Sequence, residues 1–558
     1  MNEQSREELL KSKFKPLTFG TSGVRALVTD MTDMECYINT RGFIKYLLET
    51  NEMREGDKVV FGGDLRSSTP RIMSAVHKAI IDENCQSIYC GFVPTPTLSL
   101  YAWEKNHPAV MVTGSHIPDD RNGIKFIKSS SEVLKTDEAD ILKNVEIARK
   151  EEYSKSENNS LFDMDGNFKN TISLPAKSEE KIALAQFKER YVSLFPPDIL
   201  KGKKVLVYEQ SAVGRDFLKD VLSSLGADVV GIERSDKFIP IDTEKMPELI
   251  LNSMVKWANE YKPFAIVSLD GDSDRPILAD ENGSFLPGDL LGLLVSLYLK
   301  PEFVSLPISS NDAAVSLLKD LSIEFVLTKI GSPYCIAAMN KKLSNNPDSR
   351  VVSWERNGGY LLGNNWKINE QFIKLLPTRD SILPILIAIV FAIKENTSLS
   401  HLINTKLPHR VITSDAIDSH TQGCGDYTSE TGKIIVNNFS TKNSKIEQIN
   451  FKGEDVEIIP SENLTNEIKD ESIKIKSKLE LYFNTSLGYF PVSSINYIDG
   501  IRISFANNDV VHLRPSSNAS EFRMYVTTDE LDHANKIIKD RLIIIPKIIS
   551  DIQKGDFI

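Results

Sequence analysis

The chain has 558 residues, of which 41% are hydrophobic and 26% charged, and its formal net charge is −11. That length suits roughly three to five domains, and the composition is that of an ordinary globular protein. The acidic balance argues against nucleic acid or a membrane surface as partner, since both recruit basic patches. It leaves a phosphorylated small molecule open, because a local site can be positive on an acidic protein.

Residues 1–15 are polar and charged with no apolar stretch, so no secretory signal is expected. The longest apolar run, 382–393, contains Pro384 and falls short of the about 20 residues that span a bilayer, so a buried helix is expected there. Five cysteines (Cys36, Cys85, Cys90, Cys335, Cys424) form no CxxC pair, which suits reduced thiols in a cytoplasmic protein without a zinc site.

In chain order, Phe19-Gly20-Thr21-Ser22-Gly23-Val24-Arg25 places an arginine after a Gly-rich turn, by itself a generic loop. A strand at 58–61, a Gly/Ser loop, a helix near 70–84 and a strand near 87–90 follow. Pro94-Thr95-Pro96-Thr97 is a stiff turn. The buried strand 109–112 runs into Thr113-Gly114-Ser115-His116-Ile117-Pro118, and Asn122-Gly123 turns the chain back into a strand at 124–126. Small residues are expected to leave the Ser115 hydroxyl uncovered at the strand end. With His116 beside it and Lys125 across the loop, Ser115 is a candidate nucleophile or phosphate carrier; the plain alternative is a polar turn.

The segment 151–180 is a polar excursion, and a helix at about 181–194 bridges to a second unit. That unit repeats the plan, with strand 204–208, helix 214–225 and strand 228–232. Its buried strand 264–269 delivers Asp270-Gly271-Asp272-Ser273-Asp274-Arg275. Three carboxylates at a spacing of two repel one another unless a cation neutralises them, and hard oxygen ligands suit Mg²⁺. An EF-hand is excluded by Arg275 at the sixth position, where that loop needs glycine. The aspartyl phosphatase pattern fails because Asp274 occupies its last place.

A third unit has strand 303–306, helix 312–321 and strand 324–328. Its strand 351–354 ends in Glu355-Arg356-Asn357-Gly358-Gly359, where a carboxylate beside two glycines can approach a polyol. Each unit thus ends in an unusual loop at a strand end, near residues 113, 270 and 355. Strand–helix alternation argues for α/β domains of parallel or mixed sheet, which bind ligands beyond strand carboxyl ends. Past residue 408 the pattern changes, and 411–480 is hard to parse. Ile501, Ile503 and Phe505 alternate with polar residues, and a turn at 507–509 returns as a strand at 510–513, a hairpin. Arg514-Pro515-Ser516-Ser517-Asn518-Ala519-Ser520 follows, an arginine with hydroxyls and an amide that suits a phosphate dianion. A strand at 522–526 and a helix near 529–543 close an α+β domain.

Five of these loops, spread over 19–526, resemble the α-D-phosphohexomutases, the family of phosphomannomutase and phosphoglucomutase. The family pattern at the serine is Thr-(Ala/Gly)-Ser-His-x-Pro followed by Asn-Gly-x-Lys, and every element is present. The opening loop resembles G-T-S-G-x-R, and the acidic loop matches D-G-D-x-D-R. The loop at Glu355 resembles Gly-Glu-x-(Ser/Asn)-Gly, with Trp354 for the leading Gly and Gly359 where many members have His. The Arg514 loop resembles Arg-Pro-Ser-Gly-Asn-x-Pro, with Ser517 for Gly and Ser520 for Pro. Arg379-Asp380-Ser381 resembles the family's Lys-Asp-Gly turn.

The resemblance implies three similar mixed-sheet α/β domains (1–195, 196–300, 301–408) and a smaller α+β domain (409–558) around one central cleft. It implies that Ser115 carries a phosphoryl group, and that Mg²⁺ is held by Asp270, Asp272, Asp274 and the Ser115 phosphate. Arg275 and Lys125 would neutralise charge, and Lys125, Arg25 or His116 would take the sugar proton. Glu355, Asn357, Gly358, Thr328 and Lys329 would contact the sugar. Arg514, Ser516, Ser517, Asn518 and Ser520 would grip the other phosphate.

The expected reaction interconverts hexose 1- and 6-phosphates through a hexose 1,6-bisphosphate, with mannose phosphate first, then glucose, then glucosamine. A Mg²⁺-dependent sugar phosphatase and a non-catalytic sugar-phosphate sensor are the readings outside this class. The expected partner is a hexose phosphate, with no nucleic acid or membrane, on a cytoplasmic monomer or homodimer.

Overall fold

The computed structural model describes residues 6–20, 22–175, 179–368, 371–425, 427–453, 455–516 and 521–554. The chain divides into two compact units, Met1–Val304 with Gly331–Leu407, and Ser305–Ile330 with Pro408–Ile558.

In the first unit, five strands lie in the order Gly23–Leu27, Arg121–Ile127, Ala109–Val112, Lys58–Gly63, Gln86–Phe92. Lys58–Gly63 runs parallel to both Gln86–Phe92 and Ala109–Val112, whereas Arg121–Ile127 is antiparallel to its neighbours. Ala109–Val112 is buried at every position. The reason is its period of two: Val110 and Val112 enter one hydrophobic cluster, Ala109 and Met111 another. A strand covered on both faces must be apolar throughout, which is why this one reads as an unbroken run.

A four-stranded sheet follows, in the order Asp228–Arg234, Lys204–Gln210, Ala265–Leu269, Pro276–Ala279, again parallel except for its last strand. Farther on, Val351–Trp354 pairs antiparallel with Tyr360–Leu362, which pairs antiparallel with Leu376–Asp380.

These registers reveal one device used three times. Val112 faces Ile124, Leu269 faces Pro276, and Trp354 faces Tyr360. Each loop singled out above is therefore the connection of an antiparallel hairpin, with its ends tied by strand pairing. Ile382–Lys394 is a helix buried from Ile382 to Ala392, as expected, and Pro384 falls in its first turn, where no intrahelical N–H is lost. Among the described residues no single helix is long and apolar enough to cross a membrane.

The second unit carries a seven-stranded sheet in the order Val411–Ile417, Phe522–Thr528, Val510–Pro515, Ile501–Phe505, Val492–Asn496, Gln448–Lys452, Asp455–Ile459. Every pairing in it is antiparallel. Helices Ser429–Asn438, Asn466–Tyr482, Leu531–Lys539 and Arg541–Lys554 make it α+β. Ile501, Ile503 and Phe505 are buried on one face as their alternation predicts. Among its described residues the stretch 411–480, opaque in the sequence, holds the strands Val411–Ile417, Gln448–Lys452 and Asp455–Ile459, the helix Ser429–Asn438 and most of Asn466–Tyr482.

Candidate active site

Ser115 follows the strand Ala109–Val112 by three residues and sits at φ 54°. A serine held in the left-handed region is strained, and such strain persists only where the surroundings over-determine it. Here they do: the Ser115 amide donates to Thr113 Oγ1 at 2.7 Å, and Thr113 Oγ1 donates to Asp64 Oδ2 at 2.6 Å.

Beneath the loop lies Arg66, its side chain fully buried. Its five N–H groups reach five acceptors: Nε to Asp64 Oδ2 (3.3 Å), Nη1 to the carbonyls of Pro118 (2.8 Å) and Arg121 (2.9 Å), Nη2 to those of Ser115 (2.8 Å) and Ile117 (2.6 Å). A guanidinium has five such donors in a rigid fork, so this residue type alone can hold the loop in this way. Its carbon stacks 3.9 Å from the centre of the Phe238 ring. Gly114 makes room for it, since a Cβ there would lie 2.6 Å from Arg66 Cζ.

The expectation of an uncovered hydroxyl is corrected. Ser115 is 1% exposed. Its Oγ donates to Asp270 Oδ2 at 2.9 Å and lies 3.4 Å from His116 Nδ1. Small neighbours opened space, but the acidic loop fills it.

That loop is pinned by its own carboxylate, as Asp270 Oδ1 accepts from the amides of Asp274 and Arg275, both at 3.1 Å. Gly271 is required by space: a Cβ would meet the Ser115 carbonyl oxygen at 2.6 Å. Asp270, Asp272 and Asp274 are all buried, and ligand oxygens from the three lie within 4.8 Å of one another.

Lys125 Nζ donates to Asp272 Oδ2 at 2.6 Å and to Asp274 Oδ2 at 2.9 Å, and Thr95 Oγ1 adds a bond to Asp272 Oδ2 at 2.6 Å. The opposite oxygens, Asp272 Oδ1 and Asp274 Oδ1, are buried with no hydrogen-bond partner. Buried carboxylate oxygens left unpaired are costly, and a hard divalent cation is the group they suit.

Burial, then repulsion from Asp272 and Asp274, pushes Asp270 well above the usual carboxylate range. Burial and Asp274 act on Asp272 in the same sense, but Lys125 and Thr95 outweigh them and hold it low. Asp274 is likewise held low against burial by Lys125, Arg379 and Arg275. The same pair of carboxylates raises Lys125 despite its burial. Arg25 is pushed down to about 10 by burial and by Arg275 nearby.

Glu355, at the end of the strand Val351–Trp354, accepts from Arg379 Nε at 2.5 Å, and Arg379 Nη1 reaches Asp274 Oδ2 at 3.4 Å. Asn357 turns its Oδ1 back onto the Gly359 amide at 2.9 Å, and its carbonyl accepts from Thr243 Oγ1 at 2.8 Å. Gly358 sits at φ 90°, a conformation that favours glycine.

The serine, acidic and Glu355 loops therefore meet in the first unit. Four carboxylates (Asp270, Asp272, Asp274, Glu355) lie among four cations (Arg25, Lys125, Arg275, Arg379). A divalent cation and a serine-borne phosphoryl dianion would enter together without upsetting that balance.

Thr328, Lys329, Arg514 and Ser516 belong to the second unit. Thr328 Oγ1 donates to the Lys329 carbonyl at 2.9 Å. Arg514 lies within the strand Val510–Pro515, not in a loop as expected, because its pairing with Arg523 carries the ladder past it. Its Nε is 3.5 Å from Asp499 Oδ2, and the Ser516 amide donates to the Glu521 carbonyl at 2.8 Å. Ser517, Asn518 and Ser520 lie outside the described residues. Sequence reasoning gave no role to Asp64, Arg66, Thr95, Phe238 or Arg379. An Asp-x-Arg pair directly after a buried strand was the available signal for Asp64 and Arg66; nothing local marks Phe238.

The family model "Phosphoglucomutase/phosphomannomutase, alpha/beta/alpha domain I" matches residues 16–152, and that for domain III matches residues 287–409. A phosphomannomutase of Salmonella muenchen is 35% identical over 524 residues, covering 94% of each chain. One from Sinorhizobium fredii is 32% identical over 528 residues, covering 94% of this chain and 98% of its own. The solved structure of a putative phosphomannomutase from Thermus thermophilus has the same fold, with a TM-score of 0.63 at 16% identity over 95% of this chain and 99% of its own.

Proposed function

The chain belongs to the phosphoglucomutase/phosphomannomutase family, and from that premise we propose that it interconverts mannose 1-phosphate and mannose 6-phosphate through a phosphorylated Ser115. The observation that carries this reading is the Ser115 hydroxyl bonded to Asp270 inside a buried triad in which Asp272 Oδ1 and Asp274 Oδ1 have no hydrogen-bond partner. The mannose preference rests on two relatives aligned over nearly the whole chain.

The Ser115 Oγ–phosphorus bond breaks as the free hydroxyl oxygen of a hexose monophosphate bonds to phosphorus. The hydroxyl proton passes to a base, for which Lys125, His116 and Arg25 are the groups at hand. The resulting hexose 1,6-bisphosphate turns over, its other phosphoryl group bonds to Ser115 Oγ, and the base returns the proton to the oxygen released. Asp270, Asp272 and Asp274 would hold Mg²⁺, which supplies charge neutralisation for the transferring group when bound. Arg275, beside Asp270 Oδ2 and Asp274 Oδ1, and Lys125, on Asp272 Oδ2 and Asp274 Oδ2, would add positive charge from the protein side. Glu355 and Asn357 would take sugar hydroxyls. Arg514 and Ser516, with Ser517, Asn518 and Ser520, would grip the phosphate that stays in place, while Gly358, Thr328 and Lys329 would line the sugar.

The test is magnetic resonance of the protein with Mg²⁺, a trace of hexose 1,6-bisphosphate and either mannose or glucose 1-phosphate. The matching 6-phosphate without free phosphate supports the reading, and the faster sugar names the substrate. Free phosphate alone would point to a phosphatase and overturn it.

A further inference from the structure

Gly358 and Gly359 are glycines for different reasons. Gly358 has φ 90°, but Gly359 is not among the positive-φ glycines. What excludes a side chain at 359 is Arg379: a Cβ there would stand 2.4 Å from Arg379 Cδ and 2.6 Å from its Cγ. The glycine is needed only because this arginine lies across it.

Arg379 is held on a firm base. Thr378 before it donates through Oγ1 to Glu132 Oε1 at 2.5 Å. Asp380 after it accepts from Tyr191 Oη at 2.8 Å and caps the next helix through the amides of Ile382 and Leu383. From there the guanidinium bridges two loops, with Nε on Glu355 Oε2 and Nη1 toward Asp274 Oδ2. Both carboxylates are almost fully buried.

We propose that Arg379 is a positioning residue for the sugar. It fixes Glu355 through Oε2, leaving Oε1 to accept a hydroxyl of the hexose. By holding Asp274 with the same planar fork, it sets the sugar loop in register with the acidic loop. Gly359 is the space that permits this. The inference rests on the functional reading above, since it needs a hexose phosphate as substrate.

The test is a double-mutant cycle on steady-state turnover of hexose 1-phosphate, using Gly359→Ala, Arg379→Ala and the pair together. Gly359→Ala touches no ligand, yet it should raise KM about tenfold or more with a smaller change in kcat, as a loss of uniform binding does. Arg379→Ala, which removes the Cγ and Cδ that Gly359 makes room for, should do the same, and the double variant should be little worse than Arg379→Ala alone, because those atoms are what the glycine accommodates. Arg379→Lys keeps the charge without the fork and should recover little. Additive penalties, or a Gly359→Ala variant with normal KM, would overturn the inference while leaving a working mutase. A melting curve identifies a variant that fails to fold, and Gly359→Ala, which removes no buried charge, then decides the matter. A wild-type protein without mutase activity would remove the functional reading, and this inference with it.

Discussion

Lys125 and Asp272 meet at 2.6 Å in the centre of the site, and the same ammonium reaches Asp274 at 2.9 Å. One lysine offers a single positive charge, however, and Asp270 lies beyond its bonds and is pushed above the usual carboxylate range by burial and by its two neighbours. Lys125, Arg275 and Arg379 share the triad, and Asp270 is the member that a divalent cation would relieve.

Asp270→Asn should therefore have opposite effects on stability and on activity. With chelator present it removes the repulsion of the buried Asp270 from Asp272 and Asp274 and should stabilise the first unit by about 1–3 kcal/mol. With Mg²⁺ present the wild-type protein should melt higher than its chelated form, and the variant should lose that increment along with its turnover. Calorimetry with and without chelator checks both.

Ser115→Ala should lower turnover by roughly three orders of magnitude or more, the scale seen when a covalent nucleophile is removed. The fold should survive, since the side chain gives up only its bond to Asp270 and a long one to His116. Turnover measured beside a circular dichroism melt separates the two, and near-normal turnover would sink the phosphoserine mechanism.

Arg66→Lys should be destructive although it keeps the charge. A lysine has three donors for the five acceptors that Arg66 satisfies. Leaving buried carbonyls and Asp64 unpaired should cost about 3–5 kcal/mol, and a folded remnant should have a displaced Ser115 and a low kcat. Denaturant titration with kinetics on the folded fraction measures each.

The second unit should lose stability as pH falls. His512 is buried and stacked on Tyr525, its Nε2 bonds the Asp499 carbonyl, and its Nδ1 has no partner. Burial, against that backbone bond, takes its pKa from 6.5 down to about 3. Below pH 6.5 the unfolded chain binds a proton that the folded one refuses. Stability is thus fully present above 6.5 and falls by roughly 1.4 kcal/mol per pH unit toward pH 3. His512→Gln should flatten that slope in pH-dependent denaturation, and an unchanged slope would show that the ring titrates normally.

What the sequence by itself determined here is local. Ala109–Val112, Ala265–Leu269 and Val351–Trp354 are buried throughout and apolar but for Ser268 and Ser353, as sheets covered on both faces demand, and glycine, proline and asparagine mark where each must turn. Those two signals place Ser115, Asp270 and Glu355 at strand ends without any knowledge of the fold. Tertiary structure alone decided what meets there. Ser115 is covered because Asp270 arrives from 155 residues away, the Arg66 fork closes on a loop some 50 residues on, and Arg379 joins Glu355 to Asp274 across 24 and 105 residues. Periodicity and turn chemistry report on neighbours in the chain, whereas the charge balance of a buried site is a sum over groups that only packing brings within a few ångströms.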